Sequence, residues 1–193
     1  MKTLEQYVEA AALAHGHICA GQILGLRLAM HGMRLLGIQD PAGKDRKRLV
    51  TYVEIDRCAT DAIAVVTGCR LGKRALKFRD FGKVAATFCD LPSGRAVRVA
   101  ARDTSRELAR ELYPELLDRN EQQMRAYREM EDEELFAHRW VKVHVPPEDL
   151  PGFKSPRAVC ADCREGINFK REVVRDGRTL CRACAGDAYY TLV

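Results

Sequence analysis

Two pairs of cysteines near the C-terminus constrain the fold of this chain more than any other feature of its sequence. Each pair has the pattern C-x2-C, and 17 residues separate them; the four residues are Cys160, Cys163, Cys181 and Cys184. Each CxxC turn directs two thiolates at one point, so two turns complete the tetrahedral shell that zinc prefers, with Zn–S bonds of about 2.3 Å. We therefore predict one zinc ion here, with rubredoxin-like iron as the rival metal on ligand grounds.

The residues around these cysteines predict a treble-clef zinc finger over residues 158–193. Asp176-Gly177 is typical of a hairpin turn, and the residues after Cys181 are compatible with a short helix that carries the last two ligands. About 35 residues cannot bury enough apolar surface to fold alone, so the metal must stabilise the module. Because protein fills all four coordination positions, the predicted zinc is structural rather than catalytic.

The rest of the chain predicts an α+β core domain of mixed helices and antiparallel strands over residues 1–145. Apolar residues at helical spacing alternate with short β-branched runs. The predicted helices are 3–14, a second that ends near Leu36, 59–67, and a stretch over 106–138 that Pro114 and Asn120 are expected to break; the predicted strands are 49–55, 83–89, 95–101 and 140–145. Residues 146–157 contain four of the seven prolines, which favours an extended linker before the finger.

Local signals support two of these helices. Thr3 followed by Gln6 predicts a capping box at the start of the first helix. In the second helix a stripe of small residues repeats at helical spacing, and it consists of Gly21, Gly25, Ala29 and Gly32. Such a stripe lets another backbone approach closely, so we expect the second helix to be central to the packing.

Composition limits the classes of protein that the chain can represent. Of the 193 residues 47% are hydrophobic and 31% are charged, which is typical of a globular protein, and the net charge of +5 is too small to imply nucleic acid by itself. No run approaches the roughly 20 apolar residues of a membrane span. The N-terminus has no signal-peptide pattern, so we expect a cytoplasmic protein without a membrane partner.

The other four cysteines are Cys19, Cys58, Cys69 and Cys89, and three of them lie in unusual local sequence. These three segments are HGHICAG at 15–21, CATDAI at 58–63 and TGCRLGK at 67–73. Glycines beside potential ligands permit tight turns and close approach of a bound group, and histidine and cysteine are ligands for zinc, iron or copper. Taken singly, a buried cysteine is more often only a small apolar side chain, which is our interpretation of Cys89.

The combination of these segments with Glu54 and with DxGKxA at 80–85 resembles the FmdE family of formylmethanofuran dehydrogenase proteins. The resemblance covers residues 10–90 strongly and extends to about residue 145. It implies an α+β core and an intertwined homodimer, and some members also carry a C-terminal treble-clef finger. The family is named for its association with the molybdenum or tungsten enzyme that reduces carbon dioxide onto methanofuran. If this chain belongs to an enzyme, the resemblance implies an accessory component of such a complex.

From these motifs we predict a pocket in the core that binds either a second metal of unknown identity or a small anion. In this pocket His17 and Cys19 face Cys58 and Cys69. Asp61 orients the ligand, and Lys73 meets an anionic group. The chain departs from the family pattern TGCTxGKGNL at Arg70 and at Arg74-Ala75. The larger basic side chains are expected to narrow the pocket mouth or to change its charge.

Two further hypotheses stay open at this point. The first is a regulatory or interaction module whose finger binds a protein or nucleic acid. Nucleic acid is the weaker choice, because from Ala158 onward six Lys/Arg face five acids, a net charge of +1 before the zinc–thiolate centre contributes about −2. The second is a disulfide redox switch among Cys19, Cys58 and Cys69. We favour the pocket for the core and protein contact for the finger.

Overall fold

The computed structural model describes all 193 residues, and its contacts divide the chain into two units, Met1–His144 and Val145–Val193. The first unit is α+β, as predicted. Its helices are α1 (Leu4–His15), α2 (Ala20–Leu36), α3 (Cys58–Thr67), α4 (Ser105–Leu112), α5 (Arg119–Glu129) and α6 (Asp132–Leu135). Its strands are β1 (Leu49–Val53), β2 (Leu76–Phe78), β3 (Ala85–Asp90), β4 (Arg95–Ala101) and β5 (Phe136–Val141). None of the helices has the length and apolar character that crossing a membrane requires.

The five strands form one sheet in the order β2-β1-β3-β4-β5, in which only β1 and β2 are parallel. The strands predicted over 83–89 and 95–101 are present as β3 and β4, and they pair antiparallel, with Phe88 opposite Val97 and Ala86 opposite Val99. Side chains on one face of a strand alternate with those on the other, so these residues share the face that α2 covers. A small second cluster, Val50, Cys89 and Ala96, lies on the opposite face of the sheet.

Helix α2 lies at the centre of the first unit, where it packs against α1, α3, α5, β3 and β4. Its small residues permit this packing. A Cβ on Gly25 would lie 2.5 Å from the backbone oxygen of Ala59 in α3, and a Cβ on Gly32 would overlap the ring of Phe88 in β3. Fully buried Ile23 and Leu26 contribute to the same core. The prediction of a central helix with a close-packing stripe is therefore confirmed.

The capping box predicted at the start of α1 is present. The Thr3 hydroxyl accepts a hydrogen bond from the Gln6 amide, and the Gln6 side chain accepts one from the Thr3 amide. Helix α3 ends at Gly68, whose positive φ of 67° is accessible to glycine at little cost. These local interactions fix the ends of two helices that reach the candidate site.

The stretch over 106–138 differs from the prediction at its C-terminal end. It breaks into α4, α5 and α6, and residues 136–138 belong to β5 instead of a helix. The last strand therefore covers Phe136–Val141, and the predicted strand over 140–145 is corrected. Pairing with β4 explains the difference, because Ala101 opposite Phe136 and Val99 opposite His138 complete the ladder. Helix periodicity in the sequence carries no information about this non-local partner.

A charged cluster joins α2 to the segment that follows α5. Arg27 donates hydrogen bonds to the backbone oxygens of Tyr127 and Met130 and to Asp132. Burial alone would raise the pKa of Asp132, but hydrogen bonds from His31, Arg27 and Arg34 and the charge of Arg34 together lower it below its usual value. The cluster therefore favours an ionised Asp132 and holds α6 against α2.

The second unit contains two short hairpins. They are formed by β6 (Ala158–Val159) with β7 (Gly166–Ile167) and by β8 (Val173–Arg175) with β9 (Arg178–Leu180). Asp176 and Gly177 both have positive φ, 51° and 72°, as a two-residue hairpin turn requires, so this predicted turn is confirmed. Residues 182–186 form turns in place of the expected helix. The treble-clef assignment therefore stays a prediction.

Candidate functional site

The four C-terminal cysteines form a four-cysteine zinc-binding cluster in the second unit. Their sulfur atoms all lie within 4.8 Å of one another, and the Sγ atoms of Cys163 and Cys181 are 3.9 Å apart. A tetrahedral zinc site with Zn–S bonds of about 2.3 Å requires sulfurs about 3.8 Å apart. The donor set and its spacing therefore fit a zinc ion, and no position in the shell is left for a substrate.

Backbone amides surround these sulfurs and support the thiolate form. The Cys181 amide donates to Cys160 Sγ at 3.2 Å, and the Cys184 amide donates to Cys181 Sγ at 3.4 Å. The bond from the Cys181 amide is the largest influence that lowers the pKa of Cys160 to about 6. The hydrogen bond with Cys181 and burial raise the pKa of Cys184 to about 12. A bound divalent cation favours the thiolate form of all four cysteines.

In the core, the structure brings Cys19 and Cys58 together at the N-terminal ends of two packed helices. Cys19 is the N-cap of α2, and Cys58 is the first residue of α3. Gly21 lies beside both: a Cβ at this position would lie 3.6 Å from Cys58 Cβ and 3.8 Å from Cys19 Sγ. Burial raises the pKa of the Cys58 thiol, and a hydrogen bond shared with Cys19 raises it further. The Cys58 thiol therefore keeps its proton more firmly than an ordinary cysteine does.

Both thiols line a cavity of about 800 Å³, which we call the thiol cavity. The N-terminal ends of four helices lie at this cavity. In addition to α2 and α3, which carry the two thiols, α4 contributes Arg106 and α5 contributes Arg119 and Asn120. The Asn120 side-chain oxygen accepts a hydrogen bond of 2.9 Å from the Ala20 amide and so joins the ends of α5 and α2. Helix N-termini carry partial positive charge, which gives the thiol cavity a positive potential.

Three of the four charged side chains that line the thiol cavity are also positive. Arg57, Arg106 and Arg119 line it, against a single acid, Asp56. The arginines are exposed at its mouth, whereas apolar Leu24 is buried in its wall. This combination of a cationic rim and a partly apolar interior suits a small organic anion.

The histidine motif lies beside the thiol cavity. His15 Nδ1 is 2.8 Å from Asp61 Oδ2, so the partner of Asp61 is a histidine of the HGH motif. His15, Asp61 and Cys58 line a smaller neighbouring cavity of about 460 Å³. His17 is exposed, and its ring centroid lies 4.8 Å from that of His15, but it lines neither cavity. Cys58 thus lies between the thiol cavity and the His15–Asp61 pair.

Cys69 and Lys73 do not reach the thiol cavity, which corrects their predicted grouping with Cys19. Cys69 follows the C-terminal end of α3, about 15 Å along the helix from Cys58. It is 1% exposed, accepts a hydrogen bond from the Thr51 hydroxyl, and has its pKa raised by burial. Lys73 is exposed in a short 3-10 helix on the same side as Cys69. Cys89 is buried in the sheet, as expected for a core residue.

Sequence reasoning missed the residues that α4 and α5 contribute. Arg106, Arg119, Asn120 and Gln123 follow Cys58 by roughly 50 to 65 positions, and no short motif surrounds them. The one available signal was the pair of predicted breaks at Pro114 and Asn120, since a break exposes a helix N-terminus. Spatial proximity to the thiols could not follow from that signal alone.

An α+β unit with a cysteine-containing cavity, followed by a four-cysteine zinc unit, defines a class of two-part zinc-binding protein. A family model described as "FmdE, Molybdenum formylmethanofuran dehydrogenase operon" matches residues 14–137, and the chain belongs to this family. A second model, the prokaryotic dksA/traR C4-type zinc finger, matches residues 153–190. The predicted family resemblance and the zinc finger are therefore confirmed.

Two similar proteins extend this comparison. A protein of Archaeoglobus fulgidus described as a "Probable S-adenosyl-L-methionine-binding protein" is 32% identical over 93% of this chain, and the chain spans 52% of that relative's length. The crystal structure of a tungsten formylmethanofuran dehydrogenase FmdE-like protein from Syntrophus aciditrophicus has a TM-score of 0.65 and 22% identity, over 98% of this chain and 96% of the other. This likeness supports the fold.

Proposed function

We propose that the core of this protein binds a small organic anion in the thiol cavity, directly against Cys19 and Cys58. The observation that carries the proposal is the convergence of four helix N-termini and three arginines on one cavity with a single acid. An anion at a helix N-terminus is stabilised by the helix dipole and by amide groups that have no helical partner. Guanidinium groups add paired hydrogen bonds to a carboxylate or phosphate.

A small anion is a better-supported ligand for the core than the second metal that the sequence left open. The chain contains one group of three or more metal-type ligands close together, and it consists of the four C-terminal cysteines. Cys19 and Cys58 have no third ligand within comparable reach. Three protein ligands are the usual minimum for a zinc site that keeps an open position. We therefore place zinc in the finger and an anion in the core.

Titration calorimetry with inorganic phosphate and with pyrophosphate tests this proposal on the zinc-loaded full chain. Loss of one charge-assisted hydrogen bond removes about 1.5 kcal/mol, so Arg119→Gln is expected to raise Kd about tenfold. Arg110→Gln on the exposed side of α4 is the matched control, because Arg110 does not line the thiol cavity. Absence of binding to the unmodified chain, or equal weakening by both variants, would contradict the proposal.

A second candidate ligand is S-adenosyl-L-methionine, because the Archaeoglobus relative is described as a probable binder of this compound. Its carboxylate could pair with Arg57 or Arg119. Its sulfonium and ammonium groups, however, would face a cavity of the same sign. We expect it to bind more weakly than pyrophosphate in the same titration. Tighter binding of S-adenosyl-L-methionine would favour the relative's ligand over the small-anion proposal.

For the assembly, we propose a homodimer whose zinc finger contacts protein, and an accessory role if the chain works within a larger enzyme complex. Support for protein contact comes from apolar side chains that the second unit leaves exposed, namely Val159, Val174, Tyr189 and Tyr190. Such residues occur at protein interfaces more than on nucleic-acid surfaces, which are dominated by Lys and Arg. The near balance of charge over residues 158–193 agrees with this choice.

Light scattering on the full chain tests the assembly proposal. We expect a dimer at micromolar concentration, and the charged variant Val174→Glu is expected to lose a finger-mediated contact while the zinc stays bound. Arg175→Glu is the control, because it changes the charge of the adjacent residue without removing an apolar side chain. A monomer at all concentrations would refute the dimer. Binding of labelled single-stranded RNA by the full chain, reduced by Arg175→Glu alone, would favour the nucleic-acid alternative.

A further inference from the structure

We propose that Cys19 and Cys58 form a redox-active dithiol that reduces small anionic disulfides in the thiol cavity. The inference rests on the anion-binding function proposed above and names the substrate class and the reaction of the same site. Its basis is one juxtaposition: two thiols from different helices share a cavity whose charged rim attracts anions. The finger cysteines are left out of this proposal because their four sulfurs form the zinc-binding cluster.

The geometry separates this pair from the other cysteines of the core. Cys19 and Cys58 are both half-buried and both line the thiol cavity, so a small molecule can reach them. Cys69 and Cys89 are buried and line no part of it. A switch that includes Cys69 is therefore not supported, because about 15 Å of helix lies between Cys58 and Cys69.

Gly21 gives the pair the space that disulfide exchange needs. A side chain at this position would begin within ordinary contact distance of both Cys58 Cβ and Cys19 Sγ. The hydrogen in its place leaves room for an incoming sulfur beside Cys19. Exchange requires a third sulfur approximately in line with the bond that breaks, so this space is a condition of the reaction.

The order of attack follows from the environments of the two thiols. Cys19 is the N-cap of α2 and lines the thiol cavity beside Gly21, where an incoming disulfide can reach it. Burial and the hydrogen bond with Cys19 both raise the pKa of Cys58, which makes Cys58 the poorer first nucleophile. Cys19 is therefore the attacking thiol, and Cys58 is the resolving thiol.

The reaction balances in two steps. The Cys19 thiolate attacks one sulfur of the substrate disulfide, the substrate S–S bond breaks, and a mixed disulfide on Cys19 forms as the first substrate thiolate leaves. Cys58 then gives its proton to that leaving thiolate and attacks Cys19 Sγ, which breaks the mixed disulfide and releases the second thiolate. The substrate gains two electrons and the protein becomes a Cys19–Cys58 disulfide. A separate dithiol, from a small molecule or a protein, must reduce this disulfide before the next turnover.

The test compares two disulfide probes on the reduced, zinc-loaded full chain. One is the dianionic dithiobis-nitrobenzoate and the other is the neutral dithiodipyridine, each corrected for its reaction with a free model thiol. The unmodified chain is expected to release two thiol products in a fast phase and to end with a Cys19–Cys58 disulfide in peptide mass spectrometry. Cys58→Ser is expected to release one product and to keep a mixed disulfide on Cys19. Cys19→Ser is expected to lose the fast phase.

Four further variants keep the test interpretable if substitution of Cys19 or Cys58 disturbs the fold. Cys89→Ala removes a buried thiol outside the thiol cavity and is the matched control, with no expected change. Gly21→Ala keeps both thiols and is expected to slow disulfide exchange, because its methyl group would contact Cys58 Cβ and Cys19 Sγ and fill the space beside them. Arg119→Gln is expected to slow the anionic probe about tenfold more than the neutral probe, whereas Arg110→Gln does not discriminate between them.

The outcomes separate the two proposals. If phosphate binds but the fast phase is absent, or occurs unchanged in Cys19→Ser, the dithiol inference is overturned while the anion proposal stands. If the fast phase depends on Cys19 but Arg119→Gln slows both probes equally, the anionic substrate class is overturned; the anion-binding function is overturned only if the calorimetric titrations with phosphate and pyrophosphate also show no binding. A mixed disulfide that persists on the unmodified chain would refute resolution by Cys58.

Discussion

The two units of this chain reach an ordered structure by different physical means. The first unit buries large apolar side chains, among them Ile23, Leu26 and Phe88, between α2 and the sheet. The second unit has only three fully or nearly buried apolar residues, Cys160, Ile167 and Leu180, and one of these is a metal ligand. Hydrophobic burial therefore suffices for the first unit, whereas the second depends on coordination to zinc.

The same contrast separates the two sets of cysteines. In the finger four sulfurs surround one point as a complete set of zinc ligands, so these thiols stabilise the fold and are not available for other reactions. In the core only Cys19 and Cys58 meet, and they meet at an open cavity with a cationic rim. A closed set of thiolates stabilises structure, and an incomplete set beside a cavity leaves thiols available for reaction.

The largest expected effect is loss of the second unit on removal of zinc. Apparent zinc-binding free energies of about 10–16 kcal/mol in zinc fingers exceed what a unit this small gains from burial. Cys160→Ser, or chelation of the metal, is expected to abolish hydrogen-exchange protection in β8 and β9 while β3 and β4 keep theirs. Protection that persists in β8 and β9 would contradict metal dependence. Loss in β3 and β4 as well would contradict independent folding of residues 1–145 and 158–193 on either side of a linker over 146–157.

The charged cluster at Asp132 is expected to contribute the next largest effect, confined to the first unit. Removing one partner from a largely buried ionic cluster costs about 3 kcal/mol, so Asp132→Asn is expected to lower the free energy of unfolding by about this amount near neutral pH. Urea titration of the full chain measures it. Asp103→Asn, at an exposed carboxylate before α4, is the control and is expected to change little.

The pH dependence of the same variant provides a second test. The pKa of Asp132 is lowered in the folded chain, so its stabilisation is fully present above the unfolded-state pKa and is lost as pH falls through the folded-state pKa. The difference between the unmodified chain and Asp132→Asn should therefore be constant above about pH 5 and shrink below about pH 4. A difference that grows on acidification would exclude this explanation.

Close packing of α2 on α3 is expected to make Gly25→Ala destabilising, although alanine favours a helix over glycine by about 1 kcal/mol. The added Cβ would lie 2.5 Å from the Ala59 oxygen and 2.7 Å from its Cα, and neither backbone atom can rotate away. Overpacking of this kind costs about 3 kcal/mol, so a net loss of about 2 kcal/mol is expected in urea unfolding. Gly72→Ala, where a Cβ would meet open space, is the control. A stabilised Gly25→Ala would show that α2 and α3 separate easily.

The smallest expected effect concerns the first helix cap. Thr3→Ala removes a hydroxyl that accepts from the Gln6 amide, and a loss of about 1 kcal/mol is expected in the same unfolding measurement. Thr104→Ala is the matched control, because Thr104 precedes α4 without a side-chain capping bond. Equal effects of the two substitutions would show that local capping contributes nothing specific to the first unit.

Much of the first unit could be predicted because its signals are local. The Thr3 cap, the end of α3 at Gly68 and the turn between β3 and β4 each depend on residues a few positions apart. The strand that begins at Phe136 could not be predicted in the same way, since its partner β4 lies about 40 positions earlier. Helical spacing over 106–138 was a true local signal that a non-local ladder overrode.

The candidate site was likewise predicted only in part, because local motifs identified some of its residues and not others. The motifs around Cys19 and Cys58 predicted two thiols that line one cavity in the structure. They also implicated Cys69 and Lys73, which follow the C-terminal end of α3 and so lie away from Cys58 at its N-terminal end. Short motifs do not encode the length and direction of the helix between them, although ten helical residues already set a separation of about 15 Å.

By itself, the sequence determined the zinc cluster and the α+β class of the core. The four ligands come from two local turns whose spacing directs the sulfurs inward, and amphipathic periodicity defines the faces that must be buried. Only the tertiary structure decided which cysteines meet and which charges surround them. Arg106, Arg119 and Asn120 reach the thiol cavity because α4 and α5 begin beside the ends of α2 and α3. That arrangement depends on packing among all four helices, and no local stretch of sequence encodes it.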